Sequence, residues 1–221
     1  MFRRRKVAWV VGALVLIAAP AGLYGIAVYR QTHPEPDVAR LIQLLQLKPG
    51  MVVAEIGAGE GRMTLAMARR LGPASRVFAT EVDPRLLRDI DKAAAATGLQ
   101  NVTTIKGADH STSLPERCCD AIWMVTVYHH LTDPAGIDAS IFRALRNGGR
   151  IAVIDFSPSR WRFWLRQPSG VPQNRGGHGI PEGILIQELS NEGFLLERAI
   201  DDWWVFPDTR YCVVFRKPEA D

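Results

Sequence analysis

The chain has 221 residues, 47% hydrophobic and 23% charged, which suits one α/β domain with a sizeable core and excludes a disordered chain or a disulfide scaffold. Arg3, Arg4, Arg5 and Lys6 account for the whole formal net charge of +4, so the rest is neutral and no nucleic-acid partner is implied. Cys118, Cys119 and Cys212 lack C-x-x-C spacing and read as small buried apolar side chains, with a bridge to Cys212 left open for an exported domain.

After the basic head, no charged residue occurs from Val7 to Tyr29. Such a run is long enough to cross a hydrocarbon core of about 30 Å as a helix. It also fits a signal peptide, with Val7–Ile17 as the apolar segment and Ala19-Pro20-Ala21 as the cleavage site. Because the apolar residues continue past that site to Val28, the reading is a single-pass membrane anchor through residues 7–28, with export by signal cleavage as the alternative. The excess of positive charge before the span favours a periplasmic domain, if the source is bacterial. The expected organisation is head and anchor over 1–30, a Pro-rich polar linker over 31–37 and a folded domain over 38–221.

Apolar periodicity predicts a short amphipathic helix over Val38–Leu47, stopped by Pro49-Gly50. Val52–Ile56 is a continuous apolar run, as expected of a strand covered on both faces. A helix over Arg62–Leu71, a strand over Arg76–Glu81, a helix from Pro84 to about Thr97 and a strand over Val102–Ile105 follow. Next come a strand over Asp120–Val127, a helix over Pro134–Leu145, a turn at Asn147-Gly148-Gly149 and a strand over Ile151–Asp155. Phe156–Ile180 is irregular. A helix over Pro181–Asn191 precedes strands at Leu195–Trp203 and Tyr211–Arg216, with a hairpin turn at Phe206-Pro207-Asp208-Thr209. Alternating strands and helices imply an open, mostly parallel sheet with helices on both faces. The last two strands have no helix between them, so one must run antiparallel.

The segment VVAEIGAGEGRMT, residues 52–64, places Glu55 at a strand end and Gly57, Gly59 and Gly61 in the turn that follows. A dinucleotide fold wants G-x-G-x-x-G with a pyrophosphate on the helix N-terminus. The E-x-G-x-G-x-G spacing differs, and an acid at the strand end repels a pyrophosphate but attracts an ammonium or sulfonium group. Glu81, at the next strand end, stands where an acid accepts ribose hydroxyls. Asp109, after the third strand, is placed to accept from an exocyclic amine such as that of adenine.

These segments resemble the class I S-adenosylmethionine-dependent methyltransferases. EIGAGEG is similar to their first motif and ATEVDP to their second. GAD is similar to the adenine-contact segment, CDAIWMVTVYHHL to the fourth-strand motif and NGGRIAVIDF to the fifth. Cys119 departs from the family, which usually has an aromatic there. The resemblance implies a Rossmann-like seven-stranded sheet of order 3-2-1-4-5-7-6, with the seventh strand antiparallel, forming a methyltransferase domain over 38–221. It implies S-adenosylmethionine as cofactor, with Glu55 at the methionine amino group. Gly57, Ala58 and Gly59 pass beneath the cofactor and Gly61 closes the turn. Glu81 is at the ribose, Val82 on the adenine and Asp109 at its amine.

Methyl transfer is an in-line displacement on a sulfonium carbon and needs a base only where the nucleophile must lose a proton. Tyr128, His129 and Asp155 are the candidate catalytic residues. His129 could be a base or a packed histidine, and Asp155 could orient a substrate or cap its turn. His178 could close over the site or anchor its loop. His110, His129, His130 and His178 could in principle form a metal site, but none stands at i, i+4, and no metal site is read. Arg160, Arg162 and Arg166 alternate with Trp161, Phe163 and Trp164, which suits an acidic or planar substrate, a membrane surface or a lid packed on the sheet. Together with the anchor this points to a small or lipid-like acceptor. The competing reading is an inactive cofactor-binding domain tethered to the membrane as a scaffold or sensor.

Overall fold

Two Asp-Pro steps show how local chemistry fixes the helix starts. Asp83 accepts the backbone N–H of Arg85 at 2.8 Å, and Asp133 that of Gly136 at 3.0 Å, in each case beside a proline in the first turn. The carboxylate satisfies an orphan donor, and proline occupies a position whose N–H has no helical partner. The computed structural model describes residues 33–158, 169–204 and 209–219. In chain order these form α1 (Glu35–Leu44), β1 (Val52–Ile56), α2 (Arg62–Leu71), β2 (Arg76–Glu81), α3 (Pro84–Ala96), β3 (Val102–Lys106) and β4 (Cys119–Val125). Then follow α4 (Pro134–Ala144), β5 (Leu145–Phe156), α5 (Glu182–Asn191), β6 (Leu195–Trp204) and β7 (Arg210–Arg216).

The sheet has seven strands in the order β3-β2-β1-β4-β5-β7-β6. β1 to β5 pair in parallel, and β7 runs antiparallel between β5 and β6. Order and sense are those expected. The two-residue period of the strands divides the core. Val53, Ala121, Trp123, Ala152 and Val214 pack with Val38, Leu41, Met67 and Leu71 of α1 and α2. Ala54, Ile122, Met124, Val153 and Phe215 pack with Ile137, Ile141, Leu185 and Leu189 of α4 and α5.

Two boundaries and the option of a cysteine bridge differ from expectation for physical reasons. α1 begins at Glu35, inside the expected linker, because Pro36 lies in the first turn and Glu35 and Asp37 favour the positive end of the helix dipole. β5 begins at Leu145 and runs through the expected glycine turn, taken up as an irregularity between the Cys119 and Ala121 pairings. Cys119 and Cys212 belong to opposite core layers, which removes the option of a bridge between them, and all three thiols are free. The expected anchor at 7–28, the interleaved segment at 160–166 and most of the hairpin turn lie outside the described residues. Among the described residues no helix is long and apolar enough to cross a membrane.

Gly61, at the start of α2, has φ +74°, and a Cβ added there would lie 2.6 Å from Ile90 Cγ1. Gly61→Ala therefore meets both backbone strain and a fully buried neighbour, and should lower the urea unfolding free energy by about 1–3 kcal/mol. Gly183→Ala, in open space on α5, should be neutral or stabilising by up to about 1 kcal/mol in the same measurement.

Candidate active site

Strand order reverses between β1 and β4, and the tips of parallel strands at such a point form a crevice. The turn after β1 is held by Ala58 N–H on Thr80 O at 2.9 Å and Gly61 N–H on Ala58 O at 2.8 Å. Gly57, Gly59 and Gly61 all have positive φ but serve different ends. A Cβ at Gly57 would strike Val127 at 2.6 Å, whereas one at Gly59 would meet nothing within 4 Å. The protein's own packing therefore requires glycine at 57 and 61, and Gly59 faces open space.

Glu81, at the tip of β2, reaches across to this turn. Its Oε2 accepts the Gly59 N–H at 2.9 Å, and its Oε1 accepts those of Val82 at 2.7 Å and Asp83 at 3.2 Å. Beside it opens a cavity of about 260 Å³ lined by Gly57, Glu81, Val82, Asp109, Val127 and His130, among others. Val82 leaves 54% of its surface exposed at the wall, and Asp109 is exposed at the mouth. An apolar face, a pinned carboxylate and a second acid thus surround one space large enough for a nucleoside.

Glu55 is not among the cavity's lining residues. It is buried beneath the turn, where the Thr64 hydroxyl donates to its Oε2 at 2.5 Å. Trp123, its register partner on β4, brings an indole nearby without a well-aligned hydrogen bond. Burial, reinforced by the charge of Glu81 and only partly offset by Thr64, pushes its carboxyl up to about 7.

At the tips of β4 and β5, a short 3-10 turn over Tyr128–His130 meets Asp155. Asp155 is fully buried. Its Oδ2 accepts the His129 backbone N–H at 3.1 Å, and its Oδ1 accepts that of Phe156 at 2.9 Å and bonds His129 Nδ1 at 2.8 Å. With Nδ1–H committed to Asp155, the other nitrogen of His129, Nε2, is buried with no hydrogen-bond partner among the described residues. Asp155 therefore caps its turn and orients His129.

His178 reaches the same place from the segment before α5. Its ring centroid lies 4.9 Å from that of His129 and 5.5 Å from that of His130. Tyr211 Oη donates to Ile180 O at 2.8 Å, and the fully buried Arg175 pairs with Glu188 at 2.8 Å, so the segment is pinned on both sides of His178. Partial burial beside the rings of His129 and His178 pushes the His130 imidazole down to about 4, so it is neutral at pH 7.

Tyr128 requires a correction. It is fully buried, its hydroxyl donates to Asp138 Oδ2 at 2.7 Å, and burial raises its pKa far above the ordinary phenol range. It ties the turn after β4 to α4 and does not line the cavity. Histidine spacing had suggested no metal site, yet His129, His130 and His178 bring their ligand atoms within 4.8 Å of one another.

Residues 54–153 match the family model described as a methyltransferase domain. The fold is that of the S-adenosylmethionine-dependent methyltransferases. A crystal structure of such an enzyme from Aquifex aeolicus superposes with a TM-score of 0.68 at 20% identity, covering 86% of this chain and 96% of that one. A ubiquinone/menaquinone biosynthesis C-methyltransferase of Bordetella parapertussis is 28% identical over 111 residues, covering 50% of this chain and 43% of its own length. A nocamycin O-methyltransferase of Saccharothrix syringae is 26% identical over 155 residues, covering 68% and 54%. The chain thus spans about half the length of these curated relatives.

Glu55 carries a pH signature. Its ordinary value is 4.5 and its folded value about 7, so the native state holds an extra proton between these limits. Stability is then greatest at the acid side of that window and falls as pH rises toward 7. Asp138, raised from 3.8 to about 7 mainly by burial, acts in the same direction. Glu55→Gln should remove its share, on the order of a few kcal/mol, flattening the difference between urea unfolding at about pH 5 and about pH 8. An unchanged slope would refute this account of Glu55.

Proposed function

We propose that this protein transfers a methyl group from S-adenosylmethionine to a small or lipid-like acceptor. The observation that carries the reading is the Glu81 carboxylate, pinned by three backbone N–H groups over the glycine turn and flanked by an exposed apolar wall. Its remaining lone pairs take the ribose hydroxyls, Val82 covers an adenine face and Asp109 accepts from the adenine amine. Gly57, Ala58 and Gly59 carry the backbone beneath the cofactor, and Gly61 turns it into α2. Glu55 lies below its positively charged end.

In the reaction the acceptor's lone pair attacks the methyl carbon, and the carbon–sulfur bond breaks with its electrons going to sulfur. A neutral thioether leaves, so the work of the site is alignment and exclusion of water. Ile56, Val127, Leu131 and Ile137 give the cavity the apolar character that suits such an acceptor. The uncharged run Val7–Tyr29 supports a domain tethered to a membrane, on the periplasmic side by the charge bias of its head. Recovery of the full chain in the alkaline-washed membrane fraction, with a reporter fused after Asp221 active outside the cytoplasm, is the expected result. A soluble or cytoplasmic product would overturn the tether.

Calorimetric titration of the full-length protein with S-adenosylmethionine and its demethylated product tests the cofactor site. One site is expected for each. Glu81→Ala, which removes two or more hydrogen bonds to a charged group, should weaken both by about a hundredfold. A cation over Glu55 lowers that residue's pKa, so binding should release a proton below about pH 7 and tighten as pH rises toward it. No heat from either ligand, or equal affinity in the variant, would sink the reading.

A further inference from the structure

We propose that His129, His130 and His178 form a binding site for one divalent transition-metal ion, zinc above all, at the acceptor end of the cavity. Their ligand atoms already lie within 4.8 Å of one another. A tetrahedral ion about 2.1 Å from each would hold them about 3.4 Å apart, a contraction that small side-chain rotations supply.

The second observation concerns His129. Its Nδ1–H is committed to the buried carboxylate of Asp155 at 2.8 Å, which leaves a lone pair on Nε2. That nitrogen is buried and has no hydrogen-bond partner among the described residues. A buried acceptor left without a donor costs free energy, which a metal ion at this position would recover. Carboxylate on one imidazole nitrogen and metal on the other is how ligating histidines are oriented and made more basic. Three imidazoles with no thiolate suit zinc, and leave a fourth position for a non-protein ligand.

His130 also lines the cavity, so that fourth position opens onto the same space. The ion's use there rests on the methyl-transfer reading and names the acceptor class as a hydroxyl compound. Bound to the ion, the hydroxyl loses its proton to solvent near neutral pH. The resulting oxyanion attacks the methyl carbon, and the carbon–sulfur bonding pair goes to sulfur. The products are a methyl ether and a neutral thioether.

The test uses chelator-stripped full-length protein titrated with Co²⁺, then with Zn²⁺ in competition. One equivalent with the intense visible absorption of four-coordinate Co²⁺, displaced by Zn²⁺, is expected. His129→Ala, His130→Ala and His178→Ala should each weaken binding more than tenfold. Asp155→Asn should weaken it tenfold to a hundredfold. His110→Ala, outside the cluster, should leave it unchanged. A pale six-coordinate spectrum, or affinity that survives replacement of all three histidines, overturns the inference. Should a variant unfold, shown by loss of its circular-dichroism signal, the Co²⁺ spectrum of the unsubstituted protein decides alone. S-adenosylmethionine titration of the metal-free protein separates the two readings: cofactor binding without metal binding sinks only the metal site. Metal binding without cofactor binding sinks only the methyl transfer.

Discussion

The contact on which the rest of the site depends is a carboxylate reaching from one strand tip to its neighbour. Glu81 leaves β2 and accepts the Gly59 N–H at 2.9 Å, while the N–H groups of Val82 and Asp83 meet its other oxygen. Backbone amides in a turn with positive φ must be satisfied by something, and water would leave the turn free to shift. By satisfying them, Glu81 fixes where β1 ends relative to β2. It thereby sets the floor of the cavity and the start of α2. The same acid can then offer its remaining lone pairs to a ligand without having to be ordered first, which lowers the entropic cost of binding.

The turn after β4, which brings His130 to the cavity, repeats the device with different chemistry. Asp155, at the tip of β5, accepts backbone N–H groups from His129 and Phe156 and also holds the His129 ring. One buried acid therefore sets both the path of the chain after β4 and the direction of an imidazole lone pair. The segment carrying His178 is brought up independently, through Arg175 on Glu188 and Tyr211 on the Ile180 carbonyl. Position at each end comes from a charge-assisted hydrogen bond to backbone or to an ionic partner, not from loop sequence alone.

Much of this was legible in the sequence because it is local. Asp-Pro steps at 83–84 and 133–134 start helices through their own side chains, and the two-residue burial period of the strands follows from uninterrupted apolar runs. Glu81, from its strand end, and Asp109, from the loop after β3, could be placed at the cavity. The role of the glycines was only partly readable. Gly57 and Gly61 answer to Val127 and Ile90, residues remote in the chain, and only Gly59 faces open space. Tyr128 looked like a site residue because it follows the fourth strand, but its hydroxyl is turned into the core onto Asp138. The histidine set was named from the sequence but set aside, because spacing rules detect ligands on one helix, whereas His178 meets His129 and His130 only in the fold, and His110 stays outside the group.

Glu55 and Glu81 end adjacent strands, yet the fold treats them oppositely. Glu81 is met by three backbone donors and borders the cavity. Glu55 is met by the Thr64 hydroxyl within an apolar layer, and burial holds its carboxyl up to about 7. A group so placed responds to the charge of whatever lies above it: a neutral occupant leaves it protonated, and a cationic one draws the proton off. Burial thus makes Glu55 a sensor of charge above the glycine turn, while backbone donors make Glu81 a fixed acceptor beside it.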